Sequence, residues 1–316
     1  MAIVRVKSRA VQSLVRRPIR GGLLLCACLF FTLCLAERLN AQPQASPTYS
    51  IISDDFEYPT QITSSPTHPN ELVVVERGGT VLLYSKETDS TKELLDIEEF
   101  ISTKQGGRLL SVAFYPPTQS IFANYIDPNG DLIVGRFKLD SATPISAESM
   151  RVVIKIARIS PNQHGSQIAL DRDGNLFISV GDGETKPAPQ VAQSKNTLLG
   201  KILRISINSS ERYTLPSDNP FIKQPPALPE IWALGFRNPD QLIYDTPSSR
   251  LFVVDNRDSS YRIDTVQRGL DHTATNTNTV ATGETATKSA IRAAGIYRGK
   301  NLPALHGKLI FADTSS

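Results

Sequence analysis

The sequence predicts an all-β protein of the β-propeller type, and three observations carry that prediction. Short apolar runs rich in Val, Ile and Leu alternate with turn signals from about residue 50 onward. Five of these runs share one pattern, a polar residue followed by Leu and an apolar stretch, at Leu72, Leu132, Leu176, Leu251 and Leu309. Helical periodicity is confined to one short stretch, residues 91–103. Irregular β repeats of roughly 40 to 60 residues with turns between them are how propeller blades read. A β-sandwich with similar hairpins is the alternative. About five blades are visible. The strand at Leu309 is followed almost at once by Ser316, so a last blade is expected to be missing, as a natural short form or because the chain is incomplete.

The N-terminus reads as an export signal. Arg5, Lys7, Arg9, Arg16, Arg17 and Arg20 precede an apolar run over residues 22–36. That run is shorter than the roughly 20 residues a spanning helix needs. Cleavage fits after Ala36 or Ala41, which gives a signal over 1–41, a polar spacer over 42–49 and a propeller over 50–316. An uncleaved signal anchor is the alternative, and it alone would bring the chain to a membrane. Cys26, Cys28 and Cys34, the three cysteines of the chain, all lie in this segment. The exported part therefore carries no disulfide or thiol chemistry. A lipobox at Leu25-Cys26-Ala27-Cys28 fits less well, because Cys28 sits in the middle of the apolar run. Much of the net charge of +3 comes from the N-terminal basic residues. The remainder is near neutral or acidic, so nucleic acid is not an expected partner. The expected location is the periplasm or outside the cell.

In the propeller region, residues 72–75 and 81–84 flank Gly78-Gly79 as a hairpin. Residues 91–103, with Ile97, Phe100 and Ile101, are the helical candidate. Residues 109–115 read as a strand before Pro116-Pro117. Residues 121–126 and 132–139 flank the turn Asp127-Pro128-Asn129-Gly130, and 152–156 add another strand. A hairpin follows, turning at Asp173-Gly174-Asn175 and leaving through Gly181-Asp182-Gly183. Residues 187–194 form a Pro/Ala/Gln loop, and the Thr-rich residues 271–289 are expected to be a long rim loop.

Candidate chemistry lies at two places. Gln163, His164 and Gln167 enter the hairpin and Asp182 leaves it, and antiparallel pairing brings both ends to one rim. Residues 229–239 hold the one tryptophan, Trp232, and end in Arg237-Asn238-Pro239. Proline is expected to stop that strand and project Arg237 and Asn238 at a rim, where a guanidinium can bind a carboxylate or a quinone oxygen. A surface arginine in a turn is the alternative. His272 and His306 read as surface residues. No His, Cys and Asp spacing fits zinc, and no phosphate loop or Ser-His-Asp order is recognisable.

These stretches resemble the soluble quinoprotein glucose/sorbosone dehydrogenase family, the pyrroloquinoline quinone (PQQ)-dependent aldose sugar dehydrogenases. The likeness covers roughly residues 50–316. It begins at Glu76-Arg77-Gly78-Gly79 and Gln105-Gly106-Gly107-Arg108-Leu109-Leu110 and continues through the hairpin from His164 to Asp182. It resumes at Asn196-Thr197-Leu198-Leu199-Gly200-Lys201-Ile202-Leu203-Arg204-Ile205 and at residues 231–239. Gly295-Ile296-Tyr297-Arg298-Gly299 and Pro303-Ala304-Leu305-His306-Gly307 resemble a late-blade motif.

The resemblance implies a six-bladed propeller that oxidises an aldose to its lactone, with hydride passing to PQQ and electrons to an external acceptor. It implies a histidine base, a carboxylate that orients it and an arginine that polarises the quinone. By position, Asp182 is that carboxylate and Arg237 that arginine, while Gln105, Arg237 and Asn238 are the expected cofactor-binding residues. Calcium is expected to bind the quinone carboxylates, with its protein ligands unassigned. An ungapped match on Gly165, Asp173-Gly174 and Gly181-Asp182 puts Gln163, not His164, at the position of the base. An amide is no general base near neutral pH. His164 serves if a one-residue bulge turns it inward, and is otherwise an ordinary loop residue. Ser166 replaces the motif's second glycine, and Arg268-Gly269-Leu270-Asp271-His272 replaces an aromatic, Gly-rich segment. These departures support a second expectation, a catalytically degenerate propeller that binds a carbohydrate or protein through the same rim.

Overall fold

The computed structural model describes residues 52–53, 55–101, 106–139, 144–157, 165–184, 186–208, 212–273, 278–284 and 291–313. The expected signal and spacer, Gln105, Gln163 and His164 lie outside the described residues. Blade 1 consists of β1 (Pro59–Ser64), β2 (Glu71–Glu76), β3 (Thr80–Ser85) and β4 (Ser90–Asp96). Blade 2 consists of β5 (Arg108–Tyr115), β6 (Ser120–Ile126), β7 (Leu132–Lys138) and β8 (Arg151–Ile156). Blade 3 holds β9 (Ile168–Leu170), β10 (Asn175–Val180), β11 (Lys201–Ser206) and β12 (Ile231–Leu234). Blade 4 holds β13 (Pro239–Asp245), β14 (Arg250–Asn256), β15 (Ser260–Val266) and β16 (Thr279–Glu284). The fifth sheet pairs β17 (Ile291–Ile296) with β18 (Leu309–Asp313). Each sheet is an antiparallel meander in chain order, which is the propeller-type, all-β arrangement the repeats predict.

The apolar runs are continuous, not alternating, because a blade is covered on both faces by its neighbours. β10 shows this best, since all six of its residues are buried. Leu176, Ile178 and Val180 pack into a core shared with Phe122, Val134 and Ile154 of blade 2. Phe177 points the other way, into a core with Leu242, Leu251 and Val253 of blade 4. Blades 1 and 2 share Val73, Val75, Val81 and Leu83 with Leu109, Val112 and Ile121. A smaller cluster of Val254, Ile263 and Ile291 joins blade 4 to the fifth sheet.

The first strands of blades 1 and 4 open alike. β1 and β13 each begin at a proline and carry a bulge between residues 59 and 61 and between residues 239 and 241. Proline suits the first residue of a strand, and the bulge re-aims the side chains after it. A glutamine two residues after this start reaches the next blade. Oε1 of Gln61 accepts from the Val112 N–H at 2.7 Å. Gln167, just ahead of β9, accepts from the Leu242 N–H at 3.3 Å in the same way.

Four expectations are corrected. Residues 91–103 hold no helix among the described residues: β4 runs over Ser90–Asp96 and a single 3-10 turn follows at Glu98–Phe100. Ile97 and Ile101, on which the helical expectation rested, flank that turn and are both buried. The Thr-rich segment is not all loop, since β16 pairs there with β15; its exposed Val280, Thr282 and Glu284 alternate with half-buried Thr279, Ala281 and Gly283, as an edge strand allows. Residues 187–194 include a short helix, α1 (Pro189–Gln193), with proline at its first turn. Finally, Leu132 opens the third strand of its blade while the other four leucines open second strands, so the equivalent of Leu72 in blade 2 is Ile121.

Candidate active site

The connection from β12 to β13 carries Arg237 and Asn238, and the exit from β10 carries Asp182. Pro239 does not end a strand here; it begins β13. Arg237 is consequently no surface residue. Its side chain is buried, and its Nη1 lies 2.5 Å from Oδ1 of Asp182, itself only 1% exposed. Nη1 also donates to the Glu184 carbonyl at 2.9 Å, and Nη2 lies 3.4 Å from Oδ1 of Asp258. The backbones are tied too, with the Asp182 N–H donating to the Arg237 carbonyl at 3.0 Å. Asp255 receives the N–H groups of Arg237 at 3.1 Å and Asn238 at 2.7 Å, which fixes the turn that presents both side chains.

Asp182 accepts further bonds from the N–H groups of Glu184 at 3.2 Å and Ala188 at 3.4 Å. Burial pushes its carboxyl above the ordinary range, while those donors and Arg237 pull it back without cancelling the rise. Asn238 meets the other end of the hairpin, because its Oδ1 accepts from the Gly165 N–H at 3.2 Å. Gly165 has φ +71°, and a Cβ there would lie 2.5 Å from the Ser179 carbonyl, so glycine lets the incoming loop press directly on β10. Asp182, Arg237, Asn238 and Gly165 thus share one rim.

A pocket of about 260 Å³ opens beside this pair. One wall is the segment after Asp182, with Pro187, Ala188, Pro189 and Ala192; the other is the β14–β15 turn, with Arg257, Asp258, Ser259 and Ser260. Phe236 and Thr273 close the back. Nε of Arg237 is buried and has no hydrogen-bond partner among the described residues. Two cations and two carboxylates around one small pocket can orient a polar ligand and polarise an oxygen set against the guanidinium.

His272, expected at the surface, is 0% exposed. Its Nδ1 is 2.8 Å from Oδ2 of Asp264, and its ring stacks on Phe236 at 4.8 Å between centroids. His306 is exposed, as expected. The sequence reading also missed Lys201, which is 0% exposed in β11 behind the pocket wall. A Lys at the start of an apolar strand, directly after a glycine, is the signal that was there to find.

The model of the glucose/sorbosone dehydrogenase family matches residues 56–272. Aldose sugar dehydrogenase YliI of Escherichia coli (strain K12) is 27% identical over 229 residues, covering 70% of this chain and 59% of that protein. The chain thus spans about three-fifths of the length of that curated relative. A solved glucose dehydrogenase shares the fold with a TM-score of 0.71 at 22% identity, covering 84% of this chain and 81% of that one. The PQQ-bound form of aldose sugar dehydrogenase from Streptomyces coelicolor does so at 0.62 and 21%, covering 79% and 74%.

Proposed function

Because the chain belongs to the glucose/sorbosone dehydrogenase family, we propose that it is an exported, PQQ-dependent aldose dehydrogenase that converts a sugar to its lactone and passes electrons to an external acceptor. The observation that carries this reading is the buried pairing of Asp182 with Arg237, beside Asn238, on the wall of a pocket. Those are the described positions at which the resemblance puts the orienting carboxylate, the quinone-polarising arginine and the asparagine beside it. Arg237 lines the pocket, and its buried Nε, without a hydrogen-bond partner among the described residues, is a donor left over for a quinone oxygen. The chemistry that bound PQQ supplies is acceptance of a hydride from sugar C1.

The chain's own residues do the rest. Arg237 draws electron density from an oxygen set against its guanidinium, and Asp182 and Asp258 hold that guanidinium in place. Asn238 fixes the loop end at Gly165. His164 is the residue assigned to take the sugar hydroxyl proton, since Gln163 has no basic nitrogen. A calcium ion finds no side-chain nest, because among the described residues no three His, Cys, Asp or Glu side chains are grouped to hold a metal. No step is assigned to it.

PQQ titration of the purified protein with and without calcium, followed by aldose-dependent dye reduction, tests the proposal. Saturable binding with turnover is expected. Arg237→Ala should lower kcat by about 100-fold, the scale of losing one preorganised donor. His164→Ala should abolish turnover. A folded protein that binds no PQQ would refute the dehydrogenase reading. It would support the second one, a binding module for a carbohydrate or protein. Two observations favour that alternative: glutamine at the base position, and an Asp182 whose oxygens are already taken by Arg237 and two N–H groups.

A further inference from the structure

Three arginines meet at the opposite rim of the blades from Asp182. Asp182 follows the end of β10, while β11 runs back so that its last residue, Ser206, pairs with Asn175 at the start of β10. The segment after β11 therefore lies at the far end of the blade. It supplies Ile207 and Arg212 to a small cleft, whose other wall is blade 2, with Phe122 of β6, Arg136 of β7 and Arg151 of β8. No carboxylate lines this cleft among the described residues.

The arrangement costs stability in itself. β7 and β8 pair with Arg136 directly opposite Arg151, and like charges in that relation repel. Arg136 is half-buried over Phe122, 5.7 Å from the ring centroid. Its Nε donates to Ser120 Oγ at 2.8 Å and its Nη2 to the Thr118 carbonyl at 3.4 Å, both neutral acceptors that fix the guanidinium. Arg151 and Arg212 are exposed, and Nη1 of Arg151 donates to the Met150 carbonyl at 2.7 Å. The two walls are tied together, because Tyr115 Oη donates to Asn208 Oδ1 at 2.7 Å and Asn208 Nδ2 to the Asp173 carbonyl at 2.9 Å.

We propose that this cleft is a binding site for a small oxyanion, a phosphate or sulfate group, held between the guanidiniums of Arg136, Arg151 and Arg212. Planar guanidiniums match the oxygens of such groups, and five N–H donors on each leave capacity beyond the bonds already made. The cleft itself has room for one water, about 10 Å³, so the anion sits at its mouth, where the two exposed arginines close on it. Half-buried Val153 and Tyr213 add apolar surface on which the body of a monoester can lie. The bound anion offsets the repulsion across β7 and β8. The site goes beyond the dehydrogenase reading and does not depend on it.

Calorimetric titration of the purified protein with inorganic phosphate, inorganic sulfate and phenyl phosphate, at low salt and near neutral pH, tests the proposal. Saturable binding at a single site is expected. Tighter binding of phenyl phosphate identifies an ester as the natural ligand, and equal binding identifies the free ion. Arg151→Gln and Arg212→Gln should each weaken binding by about tenfold. Arg136→Lys keeps the charge but not the planar fork, and should also weaken it. Lys223→Gln, which removes an exposed cation outside the cleft, should leave binding unchanged. Without anion, Arg151→Gln should melt no lower than the wild type, and phosphate should raise the wild-type Tm more than that of the variant. No saturable binding by the folded wild type overturns the proposal, as does an equal loss in Lys223→Gln and Arg151→Gln. Should Arg136→Lys not fold, the two exposed arginines decide. A protein that binds phosphate here and never binds PQQ keeps this site while refuting the dehydrogenase assignment.

Discussion

At the scale of single residues, the Asp182–Arg237 pair is where stability and chemistry meet. Both members are removed from water, so each depends on the other for compensation of its charge. Asp182→Ala is expected to destabilise the fold by about 3 kcal/mol in a denaturant titration, because it leaves the buried Arg237 with the longer contact to half-exposed Asp258 as its ion pair. Replacing both partners by apolar residues should cost less than the sum of the single changes. Asp182, Arg237 and Asn238 were legible as site residues because they sit in motifs with punctuation on either side, Gly181 and Gly183 or Pro239. Their burial was not legible. A guanidinium in a turn looks exposed until the carboxylate 55 positions away is known to lie against it. His272 was misread for the same reason, since its partners Asp264 and Phe236 come from a strand and a connection of different blades.

At the scale of elements, the inner strands announced themselves and the outer ones did not. β2, β6, β10 and β14 are apolar along their length because both faces are covered, and such runs survive any choice of register. β4 and β16 lie on the periphery, where exposed Thr, Ser and Lys dilute the pattern. The apolar residues Ile97, Phe100 and Ile101 around a single 3-10 turn then imitated a helix. One signal was present and went unread: Pro59-Thr60-Gln61-Ile62, Gly165-Ser166-Gln167-Ile168 and Pro239-Asp240-Gln241-Leu242 are one repeat, marking the first strand of three blades. Its glutamine carries a measurable share of the blade-to-blade contact. Gln61→Ala and Gln167→Ala each strand a backbone N–H, of Val112 or of Leu242, and each should cost about 1–3 kcal/mol in thermal unfolding.

At the scale of the whole molecule, blades are joined by short polar relays as well as by apolar cores. Ser111 and Asn124 of blade 2 donate to the Ser166 carbonyl at 3.0 and 3.1 Å, and Ser166 Oγ reaches Oδ1 of Asp240 at 2.9 Å in blade 4. Asn256 of blade 4 continues the chain, exchanging bonds with the backbone of Ile291 in the fifth sheet. The departure at Ser166 is thereby explained, because a second glycine there could not make the link to Asp240. β10, at the centre of these relays, has no face toward water. In an ordinary strand a one-residue slip is forbidden because it exposes apolar side chains. In β10 the same slip would only exchange the two cores, so hydrophobicity cannot choose between the alignments. The choice falls to Ser179, whose Oγ accepts from the N–H groups of Ser166 and Gln167 and donates to the Gln167 carbonyl. Ser179→Val should therefore leave the apolar content intact and yet yield two coexisting alignments, visible as doubled amide resonances for β9 and β11; a single set of resonances would mean that side-chain shape alone keeps the strand in step.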